Sequence, residues 1–282
     1  MKVIEVRGLS FTYSGQDKPS LQDINFEVGE GEFVLISGPS GGGKSTLCRC
    51  INGLIPHFYE GELRGEVYVD GLPTSKTPTH ILSQHVGMVF QNPQNQLFSL
   101  NVESDVAFAL ENLGLPREEI RDRVDEALAL MGIEDLADRS PVELSGGQQQ
   151  KVALASILAL RPKVIMLDEP TSFLDPMSAM NLVELVDRLR RKLGLTILMV
   201  EHRIDLIAPR ADRLAVIYEG QMLYDGPPRD FFEKYDGHLY GVSVPKLARL
   251  SKEMARHLEW PGVILDIDEF ERLVRLIAGH RL

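Results

Sequence analysis

The sequence predicts a mixed α/β fold: a parallel-stranded core, a small antiparallel sheet beside it, an inserted block of helices and a short helical extension. Three observations predict it. Apolar runs at residues 33–36, 86–90, 164–167, 196–200 and 214–218 read as strands buried in a core, since they are near-continuous rather than alternating. From 102 to 159 the apolar spacing turns helical. Between the first run and the helix that follows it lies a glycine-rich turn.

That turn is Gly38-Pro39-Ser40-Gly41-Gly42-Gly43-Lys44-Ser45-Thr46, which fits G-x-x-x-x-G-K-[ST]. Residues 32–37 read as a buried strand and 47–52 as a helix closed near Gly53, so the turn has the strand–loop–helix context the motif requires. Glycines let successive backbone N–H groups curl around an anion, and the helix N-terminus adds positive potential. Lys44 brings a full charge to β- and γ-phosphates, and the Ser45 hydroxyl can ligate Mg²⁺. All nine residues are therefore assigned to binding a nucleoside triphosphate, with ATP and Mg²⁺ as the expected cofactors.

Composition narrows the setting. The chain has 282 residues, 44% of them hydrophobic and 25% charged, ordinary values for a globular protein. No apolar run approaches the roughly 20 residues of a membrane span, and the first twenty lack the basic flank and apolar stretch of a secretory signal. A net charge of −11 argues against nucleic acid and against adsorption to anionic lipid, so any membrane association should run through a protein partner. Cys48 and Cys50, two apart on the helix after the turn, fit neither a disulfide nor a metal site and read as small packing residues in a reducing cytoplasm.

In chain order, residues 3–6 and 21–28 alternate like strands, and 65–71 reads as a short strand ending in an Asp-Gly turn. These pieces predict the antiparallel subsheet. Between the first two lies Phe11-Thr12-Tyr13-Ser14-Gly15, where the Tyr13 ring could stack on a purine. After the strand at 86–90 comes Gln91, then the polar, Pro-interrupted segment 92–98, expected to leave the core as a loop. Val102, Val106, Phe108, Leu110, Ile120, Val124, Ala127, Leu128 and Met131 mark the helical block, broken near Gly114-Leu115-Pro116 and Gly132. Its last helix opens at Leu144-Ser145-Gly146-Gly147-Gln148. Ser145 and Gln148 make a capping box, but two glycines in a first turn weaken a helix. Exposed N–H groups there form an anion site instead.

The run 164–167 ends in Asp168-Glu169-Pro170, two carboxylates where α/β proteins place ligands. Asp168 suits Mg²⁺ through water and Glu169 suits a base on an attacking water. The run 196–200 ends in Glu201-His202, which brings His202 to the same edge. His57, His80 and His85 have no such context. Beyond Pro227-Pro228 two amphipathic helices are expected, which either dock on the core or make an interface. One spans 245–258 on Leu247, Leu250, Met254 and Leu258; the other, opened by an Asp266/Glu269 capping box, carries Ile267, Phe270, Leu273, Val274 and Ile277.

Taken together, the phosphate loop, Gln91, 144–148, Asp168-Glu169, Ser172-Phe173-Leu174-Asp175 and His202 resemble the nucleotide-binding subunit of an ABC transporter in order and spacing, from about residue 3 to 226. The resemblance implies a P-loop NTPase core of RecA-like type over residues 1–226, with a helical subdomain inserted at about 92–160. It also implies a head-to-tail dimer, with itself or with a paralogue. ATP on one protomer's phosphate loop would be closed over by the partner's Ser145-Gly146-Gly147-Gln148 turn. It assigns Gln91 to sensing Mg²⁺ and the attacking water, His202 to the γ-phosphate, and 172–175 to the crossing between protomers. The segments 91–98 and 106–114 look like ATPases of the energy-coupling-factor group, which drive uptake of vitamins and transition-metal ions. That likeness implies a transmembrane coupling subunit, a substrate-binding membrane subunit, a peripheral place on the cytoplasmic face of the membrane, and a C-terminal extension at 227–282 that dimerises. A DNA-repair or chromosome ATPase would need a long coiled coil between Lys44 and Ser145, and no sustained heptads lie there. A translation ATPase would carry two cassettes and a charged linker.

Overall fold

The computed structural model describes residues 1–279. The chain opens with β1 (Lys2–Tyr13) and β2 (Leu21–Gly29), paired antiparallel. β1 runs past the stretch 3–6 legible in the sequence. The pairing shifts register between Val6 and Leu9, around Gly8 in left-handed φ +58°, and this bulge hides the strand's continuation by breaking its alternation. Next come β3 (Phe33–Ser37), then α1 (Lys44–Ile51) and the short α2 (Leu54–His57). β4 (Gly61–Val69) and β5 (Leu72–Pro73) return to β1, giving a four-stranded sheet in the order β2-β1-β4-β5. The turn between them places Asp70 at φ +49° and Gly71 at +78°, the left-handed pair that suits a tight hairpin.

α3 (Thr79–Leu82) leads to β6 (Val86–Val89), after which the chain leaves the core through a 3-10 turn at Pro93–Asn95. The helical block follows as α4 (Val102–Asn112), α5 (Arg117–Met131) and α6 (Gly146–Leu158). β7 (Val164–Asp168), α7 (Pro176–Leu193), β8 (Thr196–Val200), α8 (Ile204–Ile207) and β9 (Arg213–Tyr218) rebuild the core. β10 (Gln221–Gly226) completes a six-stranded sheet ordered β10-β9-β3-β8-β7-β6. β9, β3, β8, β7 and β6 are mutually parallel, and β10 alone is antiparallel. Edge strand β10 is half exposed, and its apolar residues are consecutive, Met222 packing on one core cluster and Leu223 and Tyr224 on the other, so no alternation in its sequence announces it.

β3, β7 and β8 are buried on both faces. On one side Val34, Ile36, Met166 and Leu198 pack with α1 against the antiparallel sheet. On the other, Leu35, Ile165, Leu167 and Ile197 join the helical block and α7. Cys48 and Cys50 are buried on α1; burial pushes both thiols up, Cys50 to about 12, which leaves them unreactive.

The C-terminal segment adds α9 (Pro228–Lys234), a 3-10 turn at Gly237–Tyr240, α10 (Lys246–Met254) and α11 (Ile267–Gly279). Pro228 at the first helical position starts α9 at the proline pair. Phe231, Phe232, Val242, Ala248, Val263 and Leu265 all belong to the large core cluster. On α10 Ala248 and Ser251 are buried, Leu247 and Met254 half-buried and Leu250 exposed. Only half of the expected box forms on α11. Glu269 N donates to Asp266 Oδ1 at 2.9 Å, but the Glu269 carboxylate pairs with Arg229 at 2.6 Å.

Candidate active site

The register of the parallel strands builds the site. Leu167 pairs with Met199, Asp168 with Val200, and Ile36 with Val200. The carboxyl ends of β3, β7 and β8 thus finish level, bringing Ser37, Asp168 and Glu201 to one edge. Glu169 N donates to Val200 O at 2.9 Å and Glu201 N to Ile36 O at 3.2 Å, continuing the ladder one residue past each strand.

At that edge the phosphate loop wraps into α1. Gly38 has φ +137° and a Cβ there would lie 2.1 Å from the Ile217 carbonyl oxygen, so only glycine fits. Gly43 stands in left-handed φ +109° as the N-cap of α1 and offers the loop no side chain, leaving the helix-end N–H groups open. Lys44 is buried, and its Nζ donates to Gly38 O at 2.9 Å and Pro39 O at 2.8 Å. Burial pushes the ammonium below its ordinary value, against the pull of Glu169 and Asp168. Burial likewise pushes the Asp168 carboxyl up, opposed by a hydrogen bond from the Ser45 hydroxyl. Lysine charge, hydroxyl and carboxylate therefore share one partly desolvated pocket, where each is electrostatically strong.

Glu169 sits in left-handed φ +48°, an uncommon conformation for a non-glycine residue. Its carboxylate accepts from Gln91 Nε2 at 2.9 Å on Oε2 and lies 3.3 Å from His202 Nε2 through Oε1. Residues from two other strand ends, those of β6 and β8, thus converge on the carboxylate that follows β7. Tyr13 approaches from β1: its hydroxyl lies 3.3 Å from Thr46 Oγ1 and accepts from Arg49 at 3.0 Å. Its ring packs edge-on against Phe11 and Tyr59.

Ser145, Gly146, Gly147 and Gln148 lie elsewhere. The capping box is present, with Ser145 N donating to Gln148 Oε1 at 2.9 Å and Gln148 N to Ser145 Oγ at 3.4 Å. The neighbours of these glycines are Leu174, Phe173 and Ser178. Among the described residues no hydrogen bond joins this turn to the phosphate loop of its own chain. Asp175 caps α7 by accepting from Met177 N and Ser178 N at 3.0 Å, and the Ser178 hydrogen bonds hold its carboxyl below the usual range.

Two site residues escaped the sequence reading. Glu201 is buried, and no cation pairs with it among the described residues. Its Oε1 accepts from both the N–H and hydroxyl of Thr171, and its Oε2 from His202 N at 2.8 Å and Arg203 N at 3.1 Å. It therefore ties the turn after Glu169 to the turn carrying His202. Gln150 on α6 donates to Pro170 O at 3.0 Å, linking that helix to the same strand end. The signal for Glu201 was a carboxylate directly after the apolar run Ile197 to Val200.

A parallel α/β sheet with a glycine-rich phosphate cradle and paired carboxylates at its carboxyl edge defines a P-loop ATPase. Residues 21–172 match the family described as ABC transporter. Proteins of Pyrococcus abyssi and Pyrococcus horikoshii, both named as ABC transporter ATP-binding proteins, are 44% and 42% identical to this chain. The matches cover 95% and 98% of it and 96% and 97% of those proteins. Among solved structures, CbiO1 of Clostridium perfringens, part of the CbiONQ ABC transporter complex, matches with a TM-score of 0.76 at 35% identity. That match covers 91% of this chain and 96% of CbiO1. The cassette MJ0796, in a dimeric post-hydrolysis state with ADP and Pi, matches at 0.69 and 31%, over 80% of this chain and 99% of that one. The chain belongs to the ABC transporter family as its ATP-binding, ATP-hydrolysing component.

Proposed function

We propose that this chain energises an energy-coupling-factor type importer for a vitamin or a transition-metal ion. The observation that carries the chemistry is the Glu169 carboxylate held between Gln91 and His202. Glu169 acts as the base on the attacking water, His202 contacts the γ-phosphate, and Gln91 reports nucleotide to the loop that follows it. Lys44 and the loop from Gly38 to Thr46 hold the phosphates; Tyr13 stacks on the purine. Mg²⁺ would be held by Ser45, Asp168 through water, and Gln91. The donor set fits it: these are hard oxygen donors, and Gln91 keeps its amide oxygen free while its nitrogen serves Glu169. Bound there, the ion would neutralise charge on the β- and γ-phosphates.

The Ser145–Gln148 turn serves a second protomer, identical or a paralogue, in a head-to-tail dimer. Its position away from its own phosphate loop supports that arrangement, as does the dimeric state named for MJ0796. Contact with the membrane runs through a transmembrane coupling subunit joined to a substrate-binding subunit; no helix among the described residues is itself long and apolar enough to cross a membrane. Their docking surface is the exposed apolar group Phe98 and Leu100 beyond Gln91. The likeness to CbiO1, which extends through most of the C-terminal segment, supports the importer class and a dimerising role for residues 227–282.

Cells carrying Glu169→Gln in place of the native chain test this reading. Uptake of one member of a panel of Co²⁺, Ni²⁺ and water-soluble vitamins should be lost, while uptake of sugars, peptides and amino acids continues. Loss confined to the second panel would overturn the importer class.

A further inference from the structure

The phosphate loop is braced by residues two hundred positions further on. Gly241 ends the turn at Gly237–Tyr240 in left-handed φ +67°, and a Cβ there would fall 2.8 Å from both Cα and Cβ of Pro39 and 2.9 Å from its nitrogen. The Gly241 backbone therefore lies flat on the second residue of the loop. The turn itself is anchored. Tyr240 packs edge-on against Tyr218 at 5.6 Å and Tyr235 at 5.8 Å, and Tyr235 stacks on Phe231 at 5.1 Å. Phe231 is fully buried, and Val242 N closes the turn on Gly237 O at 2.9 Å. On the other flank, Gly38 abuts the Ile217 carbonyl and Gly220 N donates to Gly42 O at 3.1 Å. Pro39 is clamped between the two.

We propose that Tyr240 and Gly241 are positioning residues of the ATP site, holding Pro39 so that the loop keeps its phosphate-cradling shape. Pro39 O accepts from Gly42 N at 3.0 Å and from Lys44 Nζ at 2.8 Å. Where a Lys44 donor turns from Pro39 O to a phosphate, only the Gly42 bond remains to fix Pro39 from within the loop. The contact with Gly241 supplies the missing restraint from outside. The extension thus belongs to the nucleotide site as well as to any assembly surface. The inference rests on ATP binding at this loop and not on the class of transporter.

The test uses the full-length protein, a fluorescent ATP analogue for Kd, steady-state ATPase kinetics and thermal melts. Gly241→Val drives a side chain into Pro39, and Tyr240→Ala removes the aromatic brace. Each should weaken nucleotide binding about tenfold, the scale of an overpacked or lost packing contact, and raise KM with kcat held within about twofold. In a Pro39→Gly background, Gly241→Val should cost less than about threefold, because touching residues couple. Val263→Ala, buried in the extension, should lower Tm and leave Kd at the parent value. Parental Kd in Gly241→Val overturns the proposal, as does a loss of affinity in Val263→Ala matching that of Gly241→Val at equal Tm. If Gly241→Val fails to fold, Tyr240→Ala decides alone: parental Kd refutes the brace.

Discussion

Gln91 Nε2 donates to Glu169 Oε2 at 2.9 Å, joining the start of the loop beyond β6 to the carboxylate beyond β7. Whatever displaces the Glu169 carboxylate also pulls on the root of the loop that leads into the helical block. Further along, Gln96 fixes that root: it accepts from Phe90 N at 2.9 Å and donates to Met88 O at 3.0 Å. Asp105 on α4 accepts from Phe98 N and Ser99 N at 3.2 and 3.1 Å, so the loop is pinned at both ends. Hydrogen bonds thus connect the Glu169 carboxylate, through Gln91 and the loop, to α4.

Glu169→Gln keeps the shape of the side chain and removes its basicity. ATP binding should stay near the parent value while kcat falls about a hundredfold or more, the contribution expected of a general base. With turnover blocked, ATP should accumulate a dimer visible in sedimentation. Turnover within about twofold of the parent would remove Glu169 from the role.

The composite site predicts complementation. One protomer carries Lys44→Ala, which removes the buried ammonium, and the other carries Ser145→Arg, which fills the exposed turn. The mixed dimer keeps one intact site and should hydrolyse ATP at up to about half the parent rate, if the sites act independently. Each variant alone should be inactive. Mixing without recovery would show that phosphate loop and Ser145 turn act within one chain.

Much of this site was legible because its parts are local. The glycine turn, Asp168-Glu169 and His202 each sit at the end of an apolar run, and strand ends of a parallel sheet converge whatever lies between them. What the sequence hid is long-range. Glu201 looks like a solvated strand end until four donors are found around its buried carboxylate. Gly241 reads as a loop glycine, and no local pattern could connect it to Pro39. On α10 Leu250 keeps the helical spacing of Leu247 and Met254 yet is exposed, because the smaller Ala248 and Ser251 bring the adjacent side of the helix against the core.

Asp70 staples the antiparallel sheet to the base of β7: its carboxylate accepts from Lys163 Nζ at 2.7 Å and from His85 Nδ1 at 2.8 Å. The Lys163 hydrogen bond, followed by that of His85, holds the Asp70 carboxyl below its ordinary value of 3.8. A carboxyl depressed in the folded state contributes stability above its unfolded pKa and loses it as pH falls through the folded one. Asp70→Asn keeps the left-handed turn but loses the charge. Its denaturation midpoint should lie below the parent's at pH 7, and the gap should close as the pH drops below 3.8. A gap independent of pH would assign the loss to the turn instead.

Phe98 is 65% exposed and packs edge-on against Phe108 at 4.6 Å, while its backbone is held by Asp105. An exposed aromatic fixed in place by its backbone is suited to receive a partner helix. Phe98→Asp should leave ATP affinity within about twofold of the parent, because the residue has no part in the nucleotide site, and should abolish solute uptake in cells. Unchanged uptake would place the docking surface elsewhere.

The last prediction separates docking from association in α11. Its apolar residues divide in two: Phe270 packs on Trp260 with ring centroids 5.2 Å apart, whereas Ile267 and Leu276 are 55% and 59% exposed. The first group serves the fold of the extension, and the second is free to meet another protomer. Ile267→Lys with Leu276→Lys should therefore give monomers without nucleotide, leaving Tm within a few degrees, since exposed substitutions cost roughly 0.5 kcal/mol or less. Phe270→Lys should instead lower Tm, because it buries a charge against Trp260. Sedimentation without nucleotide, run beside a thermal melt, reads both effects. A double lysine variant that stays dimeric would move the contact off α11, and a Phe270→Lys protein that melts like the parent would show that the helix does not depend on Trp260.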